Sequence, residues 1–289
     1  MNSLCVVIIF MLCAHTASAQ FNFNTNFDIG HTSNAISVST DSVFIVASAI
    51  EGHFIAPSVI LLSVDFLNPP MQFSEQIANS LSSEDIPQID RSIIYFDTNQ
   101  AAIAEKWSDN FNFLSFGISA ALVLSSPKNK QVTFNNIVLY TEGALLTYGI
   151  TEVLKSTVSR IRPYAYNEAL PDSYRFREDV TSSFPSGHTS STAYNCFFAA
   201  TILNERYIAD NQLGLKIITW AVAASIPAVT GYLRTAAGKH FYTDVAAGYA
   251  IGALIGYGVP TLHKISNNEM SFYPIATDEF QGLGFHINW

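Results

Sequence analysis

Five long apolar stretches dominate the second half of this 289-residue sequence. They cover residues 111–126, 132–154, 189–203, 215–233 and 245–262. Stretches of this length are typical of helices that pack together in a bundle. Most are slightly shorter than the ~20 residues that a bilayer span needs, but Gly248, Gly252 and Gly256 recur at the spacing that lets membrane helices approach closely. The pattern therefore suits a bundle of closely packed helices, and it favours a membrane-embedded bundle over a soluble one.

The composition agrees with an apolar, acidic protein. The chain is 49% hydrophobic and 13% charged, with a formal net charge of −9, which argues against nucleic acid as a partner. We predict a signal peptide over residues 1–19, an N-terminal extension with helices packing on the core over 20–109, a catalytic helical domain over 110–264 and a C-terminal tail over 265–289. The signal is indicated by an apolar run and an Ala-Ser-Ala cleavage sequence, although no Lys or Arg precedes the run, so an uncleaved anchor is the alternative. Cys196 would then be the only cysteine of the mature chain, most simply a core residue.

Cations and small residues concentrate at the ends of the apolar stretches, in three motifs of the form K-x6-R-P, P-S-G-H and R-x5-H-x3-D. Two arginines can each bind two phosphate oxygens with a planar guanidinium, and a lysine adds a point charge. A Ser-Gly pair at a predicted helix start offers a hydroxyl and backbone N–H groups to the same anion. The candidate phosphate ligands are Lys155, Arg162, Ser186, Gly187 and Arg234.

Two histidines and an aspartate in these motifs could carry out the chemistry. His240 and Asp244 lie four residues apart, so the carboxylate could accept the Nδ1 proton and leave Nε2 as a nucleophile. His188 would then protonate the leaving oxygen as a general acid. This assignment predicts a phosphohistidine intermediate and no metal or other cofactor.

The three motifs together resemble the signature of the type-2 phosphatidic acid phosphatase family, which also contains bacterial non-specific acid phosphatases and vanadium haloperoxidases. The chain departs from the family pattern once, where Leu233 stands in place of the serine before the third-motif arginine. The resemblance covers roughly residues 110–264 and implies an all-α fold of the phosphatase and haloperoxidase kind. It also implies His240 as nucleophile, His188 as acid and phosphate held by the five ligands above.

The resemblance makes a phosphomonoester hydrolase the leading expectation, with lipid phosphates or lipid pyrophosphates as the substrate class. Two other enzymes remain open: a soluble periplasmic non-specific acid phosphatase, and a haloperoxidase in which His240 would coordinate vanadate. A binding or structural protein with a decayed site is a third alternative, but every predicted catalytic position is retained. With a cleaved signal and a first span over residues 111–126, both catalytic loops would face the periplasm from the inner membrane. The sequence predicts no oligomeric state.

Several polar features outside the motifs also carry expectations. Asp85, Asp90 and Asp97 are predicted to lie on a solvated face rather than to bind a cation. Glu142 interrupts an apolar stretch and would have to face the bundle interior in a membrane. The loop over residues 164–183 is a candidate for contacts with the leaving group, and extended arms at 21–29 and 283–289 could pair as strands. Glu51 and His53 form a poor metal pair and are predicted to lie on the surface.

Overall fold

The computed structural model describes residues 73–125, 130–268, 270–276 and 281–287. The predictions for residues 1–19, for the arm at 21–29, and for Glu51 and His53 lie outside the described residues. The α-helices are α1 (Glu75–Ser80), α2 (Thr98–Val123), α3 (Lys130–Val158), α4 (Asp172–Arg175), α5 (Gly187–Arg206), α6 (Leu213–Ala236) and α7 (Tyr242–Asn268). Short 3₁₀ helices cover Ser83–Asp85, Arg91–Tyr95 and Pro163–Tyr166, and two strands, β1 (Met270–Ala276) and β2 (Gln281–Ile287), follow α7. The predicted helical bundle is confirmed: four of the five apolar stretches form most of one long helix each, and the stretch 111–126 forms the second half of α2.

Helix α5 is the centre of the bundle and contacts α2, α3, α6 and α7. Over half of its residues are buried, because other helices cover it on several sides. The main core cluster joins four of these helices through Val123, Leu139, Tyr194, Phe198, Ile202, Ile255 and Val259. This central position explains why α5 is less apolar than its neighbours: its side chains face other helices rather than the surroundings of the bundle.

Helices α5 and α7 meet along the glycine stripe that the sequence shows. A methyl group added to Gly248 would lie 2.5 Å from the Ser186 carbonyl oxygen, and one added to Gly256 would lie 2.5 Å from the Tyr194 carbonyl oxygen. At Gly252 the nearest atom is the carbonyl oxygen of Ser190. Only glycine allows the two backbones to approach this closely. The stripe therefore fixes where α5 begins relative to α7.

Among the residues that the structure describes, three segments are long and apolar enough to cross a membrane: Val132–Tyr166, Leu213–Ala236 and Tyr242–His263. Helix α6 is an example: Ile217, Ile218 and Val222 are exposed on its outer face. A row of exposed aliphatic side chains of this kind is expected where a helix faces lipid.

Polar side chains inside the bundle pair with one another. Glu142 is fully buried, and its Oε2 lies 3.1 Å from Nε2 of His263, which confirms that Glu142 faces the interior. Asn195 on α5 accepts a hydrogen bond from Tyr140 and donates one to Ser115, so it ties α5 to both α3 and α2. Such contacts hold helices together where lipid offers no hydrophobic driving force.

The predicted C-terminal strand is present as β2, and in the described structure it pairs with β1. The two strands form an antiparallel hairpin with Met270 opposite Ile287. Pairing with the arm at 21–29 stays a prediction, since that arm lies outside the described residues. At the other end of the domain, α2 runs without a break through residues 109 and 110, where the sequence placed a domain boundary.

Candidate active site

The residues of the three motifs meet at one end of the bundle, where helices α3 and α6 end and helices α5 and α7 begin. Lys155 lies in the last turn of α3 and Arg234 in the last turn of α6. Ser186 is the residue before α5, and His240 lies two residues before α7. An up-and-down bundle brings these helix ends together although they are far apart in the sequence.

The beginning of α5 is built to accept an anion. Ser186 is buried, and its hydroxyl contacts the Thr189 hydroxyl at 2.9 Å instead of capping a backbone N–H. A methyl group added to Gly187 would lie 3.1 Å from the Lys155 Nζ, so the ammonium group reaches the first turn of the helix. The positive end of the helix dipole and a lysine therefore act on the same volume.

Arg162 is held in place from two sides. Its Nε donates to the Asp179 carbonyl oxygen at 2.8 Å, and its Nη2 lies 3.3 Å from the Asp179 carboxylate. Its Nη1 donates to the Lys239 carbonyl oxygen at 3.1 Å and lies 3.2 Å from the Nε2 of His240. The guanidinium of Arg162 is thus fixed directly beside the candidate nucleophile.

Arg234 is also buried, and its Nη1 lies 3.3 Å from the Ser108 hydroxyl and 3.5 Å from the Asp109 carboxylate. Within the described part of the chain its Nε has no hydrogen-bond acceptor. A buried guanidinium N–H without an acceptor is costly, so this group is well suited to bind a phosphate oxygen.

The structure corrects the predicted contact between His240 and Asp244. His240 precedes the helix, and its Nδ1 lies 2.7 Å from the Ser183 carbonyl oxygen, whereas the Asp244 carboxylate is 3.8 Å away. Because a carbonyl oxygen only accepts, Nδ1 carries the proton and Nε2 carries the lone pair. The predicted tautomer is therefore retained, but a backbone carbonyl rather than the aspartate binds the Nδ1 proton.

Asp244 instead anchors the segments around His240. Its carboxylate accepts hydrogen bonds from the Ser183 hydroxyl at 2.6 Å and from the Phe241 backbone N–H at 2.8 Å. The second contact satisfies a free N–H at the start of α7, as a carboxylate in the first helical turn often does. Asp244 therefore acts on His240 through Ser183, whose carbonyl orients the ring.

Arg160 and Asp90 also belong to this anchor. Neither was among the site residues predicted from the sequence. Arg160 bridges the carboxylates of Asp244, at 2.5 Å, and Asp90, at 2.9 Å. Asp90 is fully buried and also binds the Thr243 hydroxyl and backbone N–H, so its predicted solvated position is wrong, while Asp85 and Asp97 are exposed as expected. Nothing in the spacing of these residues indicated that they meet.

The surroundings of both histidines favour the neutral imidazole. Burial, followed by the positive charges of Arg234, Lys155 and Arg162, lowers the pKa of His188 to about 3. Burial and then Arg162 and Arg234 lower the pKa of His240 well below its ordinary value. A neutral His240 can be a nucleophile, whereas His188 needs added negative charge nearby before it can donate a proton.

Acidic side chains outside the motifs balance the cations of the site. Asp109 lies 2.9 Å from Nε2 of His188, and Glu105, one turn earlier on α2, lies 3.0 Å from the buried Lys239. The loop over residues 164–183 contributes Asp179, whose carboxylate also accepts a hydrogen bond from Tyr164 at 2.8 Å. The four-residue spacing of Glu105 and Asp109 could have indicated that they share a helix face.

Comparison with known proteins agrees with this geometry. Residues 136–267 match the family model described as the PAP2 superfamily. Residues 136–267 are therefore a PAP2-type segment. The expected resemblance to the type-2 phosphatidic acid phosphatase family is confirmed for this segment, which contains all three motifs.

Two relatives share part of the chain. It is 27% identical over 117 residues to phosphatidylglycerophosphatase B of Bacillus subtilis, covering 38% of this chain and 52% of that protein. It is 24% identical over 148 residues to a candidate phosphatidate phosphatase of Drosophila melanogaster, covering 42% of this chain and 39% of that protein. The matches therefore span about half of each relative or less. A solved transmembrane PAP2-type phosphatidylglycerolphosphate phosphatase from Bacillus subtilis is 18% identical, with a TM-score of 0.45, over 73% of this chain and 96% of that one.

Proposed function

We propose that this chain is a metal-independent phosphatase that hydrolyses phosphomonoesters through a phosphohistidine intermediate on His240, with His188 as the general acid. The observation that carries the proposal is the state of His240. Its Nδ1 proton is bound by the Ser183 carbonyl, and its Nε2 lone pair lies 3.2 Å from Arg162 within the group of cations. A nucleophile with its lone pair directed at the position of a bound anion is what phosphoryl transfer requires.

The reaction would follow from the contacts of the site. Phosphate oxygens bind the arginines, Lys155 and the beginning of α5, and they take over the hydrogen bond between Arg162 and His240. Nε2 of His240 then forms a bond to phosphorus while the bond to the leaving oxygen breaks, and His188 gives that oxygen a proton. Water next attacks phosphorus, His188 takes up its proton, and the bond between phosphorus and His240 breaks. The cations stabilise the charge that spreads over the equatorial oxygens, a task that other phosphatases give to metal ions.

Lipid phosphates or lipid pyrophosphates are the substrate class we propose. The site lies at the end of a bundle with three helices apolar enough to cross a membrane. The names of the two relatives, a phosphatidate phosphatase and a phosphatidylglycerophosphatase, support the same class. We further propose that the protein lies in the inner membrane of the cell envelope with the site facing the periplasm, as a cleaved export signal would require.

The test is phosphate release by the purified protein in detergent with EDTA present. The substrates are p-nitrophenyl phosphate, phosphatidate, phosphatidylglycerol phosphate and an isoprenyl pyrophosphate. We expect higher kcat/KM on at least one lipid than on the small ester. Equal rates would favour a soluble non-specific acid phosphatase, and no release from any substrate would direct the test to bromide oxidation with added vanadate.

The variant His240→Ala tests the mechanism. Loss of the nucleophile should lower kcat by about 10⁴-fold or more, while thermal unfolding shows that the protein stays folded. In the wild-type protein, rapid quenching with labelled substrate should trap an acid-labile phosphoramidate. Full activity of His240→Ala, or loss of wild-type activity on adding EDTA, would contradict the proposal.

A further inference from the structure

Asp109 contacts the candidate general acid from a helix outside the family match. Its Oδ1 lies 2.9 Å from the Nε2 of His188 and 3.5 Å from the Nη1 of Arg234. Asp109 belongs to α2, whereas the family match begins at residue 136, so none of the three motifs includes it. At this distance the carboxylate forms an ion pair with a protonated imidazole, and it is near enough to take up the Nε2 proton as a partner.

We propose that Asp109 is a positioning residue for proton transfer: it binds the Nε2 proton of His188 and leaves Nδ1 as the nitrogen that delivers the proton to the leaving oxygen. The role rests on the proposed phosphatase activity. In the first step Nδ1 gives its proton to the leaving oxygen as the phosphorus–oxygen bond breaks. In the second step the same nitrogen takes a proton from the attacking water. The Nε2 proton stays on the ring throughout, so the ring keeps one orientation for both steps.

The charges around His188 determine when Asp109 acts. Burial disfavours the protonated ring most, and four cations add to it: Arg234 at the end of α6, Lys155 at the end of α3, Arg162 and Lys239. Two further carboxylates nearby, Glu105 and Asp179, lie beside Lys239 and Arg162. Burial and these cations together favour the neutral imidazole. A phosphate ester would bring negative charge among the cations, and the carboxylate of Asp109 would then favour the imidazolium.

A purely structural role is the competing explanation, because Asp109 could simply hold α2 against Arg234. The two roles differ in their dependence on the leaving group. An alkoxide leaves poorly without a proton, whereas p-nitrophenolate leaves readily as an anion. A residue that serves the general acid therefore affects an alkyl phosphate far more than p-nitrophenyl phosphate, while a structural residue affects both alike.

The experiment compares Asp109→Asn with the wild type on phosphatidate and on p-nitrophenyl phosphate. We expect kcat on phosphatidate to fall about 100-fold and kcat on p-nitrophenyl phosphate to change by less than about threefold. The alkaline limb of the kcat profile on phosphatidate should also move to lower pH, since the imidazolium loses the negative charge of its carboxylate partner. Glu105→Gln is the matched control: it removes a carboxylate one turn away that binds Lys239, so its effect should not depend on the leaving group.

A double variant makes the assignment sharper. If Asp109 acts through His188, Asp109→Asn should cost nothing further on phosphatidate in a His188→Asn background, because the two residues act as a unit. Equal losses on both substrates, no loss, or losses that multiply in the double variant would each refute this role. Absence of turnover by the wild-type protein would instead overturn the proposed function and this role together. If Asp109→Asn does not fold, Asp109→Glu displaces the carboxylate by one methylene and should give the same selective loss in weaker form.

Discussion

Replacing Gly252 by alanine tests whether the contact between α5 and α7 sets the geometry of the site. The new methyl group would face the Ser190 carbonyl oxygen, and it would lie 2.7 Å from the Tyr194 backbone nitrogen and 2.9 Å from the Ala193 Cβ. All three neighbours are backbone atoms or a Cβ, so no side chain can rotate away. Ordinary contact begins at 3.4 Å, and the nitrogen alone therefore requires the helices to separate by at least about 0.7 Å.

This separation has two costs. Overpacking of a well-packed interface typically costs about 1–3 kcal/mol, and Gly252→Ala should lie at the upper end because the clash is with backbone. The same movement carries Ser186 and His188 at the start of α5 away from His240 before α7. A displacement approaching 1 Å in a catalytic arrangement lowers the rate by about 100-fold, so activity should fall even at temperatures where the variant is fully folded.

The assay is thermal unfolding in detergent together with kcat on the best substrate. Gly258→Ala is the matched control, since it lies on the same helix and its added methyl group meets no atom within 4 Å. The control should leave activity unchanged and alter the free energy of unfolding by less than about 1 kcal/mol. Equal behaviour of the two variants would refute the conclusion that Gly252 sets the helix separation.

Three further predictions concern the anchor beneath His240. Arg160→Met leaves two buried carboxylates without their cation and should destabilise the protein by about 3–5 kcal/mol, measured by unfolding at neutral pH. Ser183→Ala removes the hydrogen bond to Asp244 and should cost about 1–3 kcal/mol and lower kcat, whereas Ser182→Ala should change neither by much; equal effects would contradict the bridging role. Because the folded pKa values of His240 and His188 both lie below the ordinary value of 6.5, the folded protein binds fewer protons than the unfolded chain, and stability should fall as the pH drops below about 6.5. His240→Asn should reduce that pH dependence of the melting temperature, with the part due to His188 remaining, and an unchanged slope would contradict the contribution of His240.

The five long helices could be predicted from the sequence because each one contains a long, continuous apolar stretch. The glycine stripe on α7 likewise indicated a close helix contact, and the structure gives its partner as α5. The start of α2 could not be predicted from the apolar pattern: the stretch begins at residue 111, but α2 begins at Thr98, where Asp97 accepts a hydrogen bond from the Asn99 backbone N–H and caps the helix. The first half of α2 is polar, but it stays helical because one of its faces packs against the bundle.

The site was only partly predictable, for a different reason. The spacing of motif residues predicts which side chains share one helix end, and the structure places Arg162, Arg234 and His240 together as expected. It does not predict hydrogen-bond partners, so the role of Asp244 was assigned to the wrong contact. A distance of four residues indicated a direct bond to His240, but the helix begins only at Tyr242 and the Ser183 carbonyl takes that place.

The acidic residues that pair with the cations of the site were not predicted, because they neutralise charges that come together only in the folded protein. None of the three motifs contains them. Cations buried at one point repel one another and cannot remain without counter-charges when no anion is bound. Helix α2 and the loop over residues 164–183 supply those charges, with Asp109 beside Arg234, Glu105 beside Lys239, and Asp179 beside Arg162. On the proposed function, a phosphate ester would compete with these ion pairs for its ligands, and part of its binding energy would go into breaking them. We therefore expect neutral variants at these acids to bind phosphate more tightly even where they turn it over more slowly.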